Sequence, residues 1–260
     1  RSLASRPPDP SVSWCLRRGL FGTLCDSRIG RLPAREPEAA IPTSPSIIAI
    51  DGPTAAGKGT LARRLAAALG FAYLDTGLIY RAVAALALVW ADPPAEADMV
   101  AAAEGLAPTD LARPGLRSER IAQWSSRVAA VPAVRAALLA FQRRFAANPP
   151  EGRAGAVLDG RDIGTVICPG AAAKLYVTAS PEARARRRFQ ELQGRGEPAI
   201  YAAVLDDLRD RDRRDSDRAA APLKPAADAV VLDTTELDAE AAFQRALSIV
   251  RERLAANPKA

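Results

Sequence analysis

Five short, mostly apolar runs mark the chain from residue 46 onward: Ile47-Ile48-Ala49-Ile50, Phe71-Ala72-Tyr73-Leu74, Ala156-Val157-Leu158, Lys174-Leu175-Tyr176-Val177 and Val230-Val231-Leu232. Between them lie longer stretches in which apolar residues return every three or four positions. Leu61, Leu65 and Leu69 have that spacing and Gly70 closes it, which predicts a first helix. Residues 77–90 read as a buried helix rich in Ala, Leu and Val. A stretch broken by Pro93, Pro94, Pro108 and Pro114 follows, without strand character. A helix carrying Ile121 to Val128 comes next, and Pro132 opens another that bears Val134, Leu138, Phe141 and Phe145. Ser180-Pro181-Glu182 supplies an N-cap, a first-turn proline and an early acid for a later helix, and a last helix starts near Asp238. Strands alternating with helices predict an α/β fold with a parallel sheet covered by helices.

The first 45 residues differ. They carry clustered Pro, Ser, Arg and Gly without periodicity and end in Pro42-Thr43-Ser44-Pro45, so they are expected to be a disordered extension, with neither a secretory nor a well-formed transit signal. Residues 256–260 are expected to be a short tail.

An apolar fraction of 48% over 260 residues is ample for a core. The net charge is +6, but seven arginines against four acids in residues 1–45 account for +3 of it, leaving a modest excess that suits a phosphate-bearing substrate and does not call for nucleic acid. The chain has no histidine, which excludes Ser-His-Asp chemistry and histidine zinc sites. Cys15, Cys25 and Cys168 have neither metal-ligand spacing nor a disulfide framework, and the longest apolar run, Ala82 to Ala91, is about half of what spans a bilayer. A cytoplasmic protein with no membrane segment is expected.

The sharpest chemical signal follows the first strand: Gly52-Pro53-Thr54-Ala55-Ala56-Gly57-Lys58-Gly59-Thr60. Glycines let backbone N–H groups turn toward phosphate oxygens, Lys58 adds a cation over the outer phosphates, and the next helix points its positive dipole end at them. Gly59 stands where such loops usually carry Ser or Thr, so the hydroxyl comes from Thr60. This is a binding loop for a nucleotide polyphosphate.

Four of the apolar runs are followed by aspartate: Asp51, Asp75, Asp159 and Asp233. The carboxyl ends of strands in an open parallel sheet form the ligand crevice, so the first three are expected beside the phosphate loop, with Asp159 as a magnesium-associated acid; Asp233 is expected only to cap a turn. Along 204–218, Val204, Leu208, Arg211, Asp215 and Arg218 are spaced four, three, four and three apart and so share one helical stripe expected to face the protein body. Two guanidiniums and a carboxylate on it would look over the cleft, where Arg grips phosphate and Asp suits paired sugar hydroxyls. Asp207, Asp210, Asp212, Arg213 and Asp217 are expected to face solvent.

Taken in order, the phosphate loop, Leu74-Asp75-Thr76-Gly77-x-x-Tyr80-Arg81, Asp159-Gly160-Arg161-Asp162-x-Gly164-Thr165, and Arg211 to Arg218 followed by Ala221-Pro222-Leu223 resemble the bacterial cytidylate kinases over residues 46 to about 255. The resemblance implies a phosphate-loop nucleoside monophosphate kinase fold: a five-stranded parallel sheet flanked by helices, a lid over about 182–220, and a substrate-side helical region over 91–150. The insert at 91–120 is shorter than in many members, which implies a reduced flap. The implied reaction moves the γ-phosphoryl group of ATP to CMP or dCMP. Gly52 to Thr60 would hold ATP, with Thr60 and Asp159 holding Mg²⁺ partly through water. Lys58, Arg161 and Arg211 would be catalytic. Arg81, Arg161 and Arg211 would hold the acceptor phosphate, Ser126, Arg135 and Asp162, with Thr76 nearby, the cytosine edge, and Asp215 with Arg218 the ribose. Arg184, Arg187 and Arg188 would belong to the lid, and a monomer acting on small molecules is implied.

Two other readings stay open on the residues alone. One is a different small-molecule kinase of the same fold, acting on AMP, UMP or shikimate. The other is a nucleotide-dependent regulatory or RNA-binding module, although the chain lacks an aromatic stacking platform and a strong basic stripe.

Overall fold

A computed structural model describes residues 44–257, so the expectations for the N-terminal extension and the tail fall almost wholly outside the described residues. Strands β1 (Ser46–Asp51), β2 (Ala72–Asp75), β3 (Gly155–Gly160), β4 (Ala173–Thr178) and β5 (Val230–Asp233) form one parallel sheet in the order β2-β3-β1-β4-β5. β1 takes the centre because it is apolar on both faces: Ile48 and Ile50 enter one core and Ala49 the other, all fully buried.

Helices α1 (Lys58–Leu69) and α8 (Ala239–Ala256) cover one face, where Leu61 and Leu65 share a core with Phe243, Leu247 and Val250. The other face carries α2 (Thr76–Trp90), α3 (Glu96–Glu104), α4 (Glu119–Val128) and α5 (Pro132–Ala147), joined through Val83, Met99, Val128, Val134 and Leu138. Local sequence sets their starts. The Asp75 carboxylate accepts the Leu78 N–H at 3.1 Å to cap α2, and that of Asp238 accepts the Ala241 N–H at 2.7 Å to cap α8.

The proline-broken stretch holds more structure than its pattern predicts. Between Trp90 and β3 the described residues form only helices, among them α3 and a 3-10 turn at Pro108–Ala112. The inward face of α3 is Met99, Ala102 and Ala103. Two of these three are alanines, so the helix gives almost no hydropathy contrast and is held by close approach to its neighbours. Among the described residues no helix is long and apolar enough to cross a membrane.

Helices α6 (Pro181–Gly194) and α7 (Tyr201–Ser216) pack on each other with their own small core of Ala185, Leu192, Val204 and Leu208, against which the phosphate-loop residue Ala55 is packed. Because α7 ends at Ser216, Arg218 is not on the helical stripe expected for it; it reaches back from the following turn to Asp215.

This strand order positions the site. From β1 the chain passes β3 to reach β2, and from β3 it passes β1 to reach β4, so connections leave the carboxyl ends of the central strands in opposite directions and open a crevice there.

Candidate active site

The phosphate loop leaves β1 through Gly52, whose φ of 144° is unavailable to most residues, and a Cβ there would lie 1.9 Å from the Val177 carbonyl oxygen. Packing against β4 therefore requires glycine as much as the turn does. Lys58, the first residue of α1, is buried and donates from Nζ to the Pro53 carbonyl at 2.7 Å, closing the loop on itself. Burial, then the nearby Arg161, lowers the lysine pKa, while Asp159 and Asp51 oppose the shift. Thr60 is exposed on the first turn of α1. Gly59 borders the next carboxylate: a Cβ there would stand a tight 3.3 Å from Asp159 Oδ2 and 3.7 Å from the Tyr73 hydroxyl.

The strand-ending carboxylates divide their work differently from the expectation. Asp51 has both oxygens taken by backbone donors: Oδ1 accepts the Ile163 N–H at 2.8 Å and Oδ2 the Gly164 N–H at 2.7 Å. It pins the short π-helical turn Ile163–Ile167 and with it the preceding Gly160-Arg161-Asp162. Burial raises its pKa to about 6 against the pull of those two hydrogen bonds. Asp75 is spent on capping α2 and on Arg117, 3.2 Å away. Asp233 caps its turn as expected, accepting from Thr235 N at 2.8 Å. Asp159, like Asp51, lies close enough to Lys58 of the loop to act on its charge: it is buried, its Oδ2 accepts from the Tyr73 hydroxyl at 2.8 Å, and burial followed by the charge of Asp75 raises its pKa.

Next to it lies a cleft lined by Thr76, Ser126, Arg135, Arg161, Asp162, Arg211, Asp215 and Arg218, together with Gly77, Tyr80, Ser125, Ala129 and Gly160. The sequence separates these residues by more than a hundred positions, and the ends of β2 and β3 with α4, α5 and α7 bring them together. Arg161 ties the halves: Nη2 donates to Thr54 Oγ1 of the phosphate loop at 2.6 Å and Nε to Asp215 Oδ2 at 2.9 Å. Asp215 also takes Arg218, and although burial acts against it, Arg161, Arg218 and Arg211 hold its pKa below the usual range. Asp162 pairs with Arg135 on α5, and the guanidinium of Arg135 lies 5.8 Å from the Tyr80 ring centroid. Ser126 Oγ is buried without a hydrogen-bond partner. Thr76 gives its hydroxyl to the Asp159 carbonyl at 2.7 Å.

Arg211 stands apart. It has no hydrogen bond or ion pair among the described residues, its Nε is buried and unsatisfied, and burial followed by the charge of Arg161 pushes its pKa down to about 10. Arg161 and Arg211 both act on Lys58, so these cations gather around one spot. A buried guanidinium nitrogen left without an acceptor beside two other cations suits an anion.

Other expected site residues lie outside the cleft lining. Arg81 donates to the Leu116 carbonyl at 3.0 Å. Arg184, on the lid side, is buried and reaches the Thr54 carbonyl at 3.3 Å and Asp212 at 2.7 Å. Arg187 holds Thr234 Oγ1 at 3.0 Å, and Arg188 bridges Glu119 of α4 and Glu191. Asp212 was expected in solvent, yet it is the ion partner of a buried arginine. Its spacing of four from Leu208 was the available signal. The part played by Tyr73 had no signal beyond its position in a strand next to Asp75.

A phosphate loop at the switch point of a parallel sheet, facing an arginine-lined cleft, defines a phosphate-loop kinase of the nucleoside monophosphate kinase type. Residues 48–252 match the family model described as Cytidylate kinase, and the chain belongs to that family. It is 64% identical over 206 residues to the cytidylate kinase of Paramagnetospirillum magneticum, a span of 79% of this chain and 97% of that one. The cytidylate kinase of Methylocella silvestris is 62% identical, over 78% of this chain and 93% of its own. Among solved structures, TT1252 from Thermus thermophilus aligns at 23% identity with a TM-score of 0.42, over 81% of this chain and 98% of that one.

Proposed function

We propose that the protein transfers the γ-phosphoryl group of ATP to CMP or dCMP, giving CDP or dCDP and ADP, and that it does so as a cytoplasmic monomer acting on free nucleotides. The observation that carries this reading is Arg211, a half-buried guanidinium without an anionic partner, set beside Arg161 in a cleft that also offers an unpaired hydroxyl, Ser126, and a carboxylate, Asp162.

The acceptor phosphate is already an anion, so its oxygen needs no strong base to attack the γ-phosphorus; what opposes reaction is repulsion and poor alignment. Arg161 and Arg211 neutralise the acceptor and draw it into line, while Lys58 and the loop amides hold the donor. As the new P–O bond forms, the bond from the γ-phosphorus to the β–γ bridging oxygen breaks, and Lys58 stabilises the charge left on ADP. Arg81, on the Arg211 side of the cleft, adds to the field there. Asp162 accepts from the cytosine amino group, Ser126 and Arg135 complete the base edge, and Asp215 with Arg218 receives the ribose hydroxyls. The lid arginines Arg184, Arg187 and Arg188 belong to α6, whose closure excludes water.

The donor set fits Mg²⁺. Asp159 is a buried carboxylate with only Oδ2 hydrogen-bonded, and Thr60 offers an exposed hydroxyl on the first turn of α1, one residue beyond Gly59, which borders Asp159; such an ion takes one or two protein oxygens and otherwise phosphate and water. When bound it supplies charge neutralisation on the donor phosphates.

The test is an acceptor panel of CMP, dCMP, UMP, AMP and shikimate with ATP in a coupled assay. CMP and dCMP are expected to turn over best, and Lys58→Ala to lose turnover while keeping its fold by circular dichroism. Preferred phosphorylation of another acceptor would overturn the reading, as would retention of RNA at moderate salt with no monophosphate turnover.

A further inference from the structure

We propose that Tyr73 is a positioning residue for Asp159, holding one carboxylate oxygen so that the other is presented to the cation of the bound donor; this rests on the proposed role of Asp159 toward Mg²⁺.

The register places the pair. Tyr73 of β2 stands opposite Val157 of β3, and Asp75 opposite Asp159, so Tyr73 and Asp159 point to the same face of the sheet as diagonal neighbours. That diagonal is within reach of a long aromatic side chain, and the phenol spans it to donate to Oδ2 at 2.8 Å. A carboxylate at a strand end can otherwise rotate about two side-chain bonds. Here its other neighbours restrict it as well. The first turn of α1 comes close: a Cβ at Gly59 would stand a tight 3.3 Å from Oδ2 and in ordinary contact, 3.7 Å, with the phenol oxygen. The guanidinium of Arg63, from the same helix, lies 5.8 Å from the Tyr73 ring centroid and covers it from outside.

The chemistry of the donor sets the consequence. A phenol donates one hydrogen bond, so it occupies Oδ2 and leaves Oδ1, which accepts no hydrogen bond from any described residue. A fixed rotamer with one committed and one uncommitted oxygen suits an ion that demands near-ideal octahedral angles and keeps most of its waters. Partners that orient a metal-binding carboxylate in this way typically change metal affinity by 10- to 100-fold when removed. Phenylalanine keeps the packing against β3 and α1 and removes only the hydroxyl, so Tyr73→Phe isolates the hydrogen bond.

The experiment is calorimetric titration of ATP into the 260-residue chain, once with EDTA and once with saturating Mg²⁺, for wild type, Tyr73→Phe, Asp159→Asn and the double variant. Tyr73→Phe is expected to leave metal-free ATP affinity within twofold of wild type, to lose about tenfold of the gain that Mg²⁺ brings, and to add nothing in the Asp159→Asn background. In turnover assays it is expected to raise the Mg²⁺ concentration for half-maximal rate while kcat returns to near wild type at high Mg²⁺. An unchanged Mg²⁺ gain in Tyr73→Phe, with that gain lost in Asp159→Asn, would overturn the positioning role alone. Equal loss of affinity with and without metal would overturn it too, by showing a merely structural part. An unchanged gain in Asp159→Asn would overturn both this proposal and the metal role of Asp159, and neither result bears on the acceptor panel.

Discussion

Arg211 and Asp215 stand one turn apart on α7, and only the carboxylate is satisfied: Asp215 takes Arg161 at 2.9 Å and also Arg218, which leaves Arg211 with a buried Nε and no partner. Two of the three arginines around this acid are thus paired with it, and the third has no counter-ion among the described residues. A half-buried cation without a partner costs stability in the ligand-free protein, because burial lowers its pKa and Arg161 repels it.

That arrangement separates stability from activity at one residue. Arg211→Met is expected to leave the Tm of the ligand-free protein unchanged or to raise it by a few degrees, roughly 1 kcal/mol, while kcat/KM for CMP falls by about 10²-fold or more. Thermal melts with steady-state assays on the same preparation check this. A large loss of Tm would mean that the guanidinium has a structural partner in solution.

The base edge makes a second prediction. Asp162 is buried and pairs with Arg135, so in the ligand-free protein the arginine occupies the carboxylate that the cytosine amino group would meet. A carboxylate accepts from that amino group and repels the uracil carbonyl that replaces it. Asp162→Ala should therefore lower the ratio of kcat/KM for CMP to that for UMP by about tenfold or more. The ratio is the readout because any general loosening around Arg135 affects both acceptors alike; an unchanged ratio would place base recognition elsewhere.

The clamp between Asp51 of β1 and the turn Ile163–Ile167 predicts a pH effect. Burial raises the Asp51 pKa from 3.8 in the unfolded chain to about 6. Since the folded value is the higher one, protonation favours the folded state: this contribution is fully present below about 3.8 and is lost as the pH rises through about 6. Wild type should then lose more stability than Asp51→Asn between about pH 4 and pH 6, by on the order of 2–3 kcal/mol. Urea denaturation across that window measures the difference. Parallel stability curves for the two proteins would show that Asp51 does not titrate there.

What the chain determines locally was legible without coordinates, because its signals are carried by neighbours in sequence. Runs such as Ile47-Ile48-Ala49-Ile50 can only be buried strands, Gly57 and Gly70 bracket α1 in left-handed conformations, and the apolar half of α7 fixed which of its faces turns inward. The phosphate loop and the inward placement of Arg211 and Asp215 belong to this class. So does the cap at Asp233, since an aspartate needs only residues two positions on to form it.

Partner choice across the fold belongs to the other class. Asp51 and Asp159 both follow apolar runs, yet one spends its carboxylate on two backbone N–H groups more than a hundred residues away while the other takes a tyrosine hydroxyl on one oxygen only. Asp212, Tyr73 and the alanine-lined α3 took their places in the same way, from which buried group lay nearest once the sheet had closed. The sequence by itself determined the elements, the loop and the kind of chemistry, because periodicity, turn residues and charge are properties of short segments. Only the tertiary structure decided which arginine is paired and which is left without a partner, because that is a competition for a few carboxylates among side chains distant along the chain.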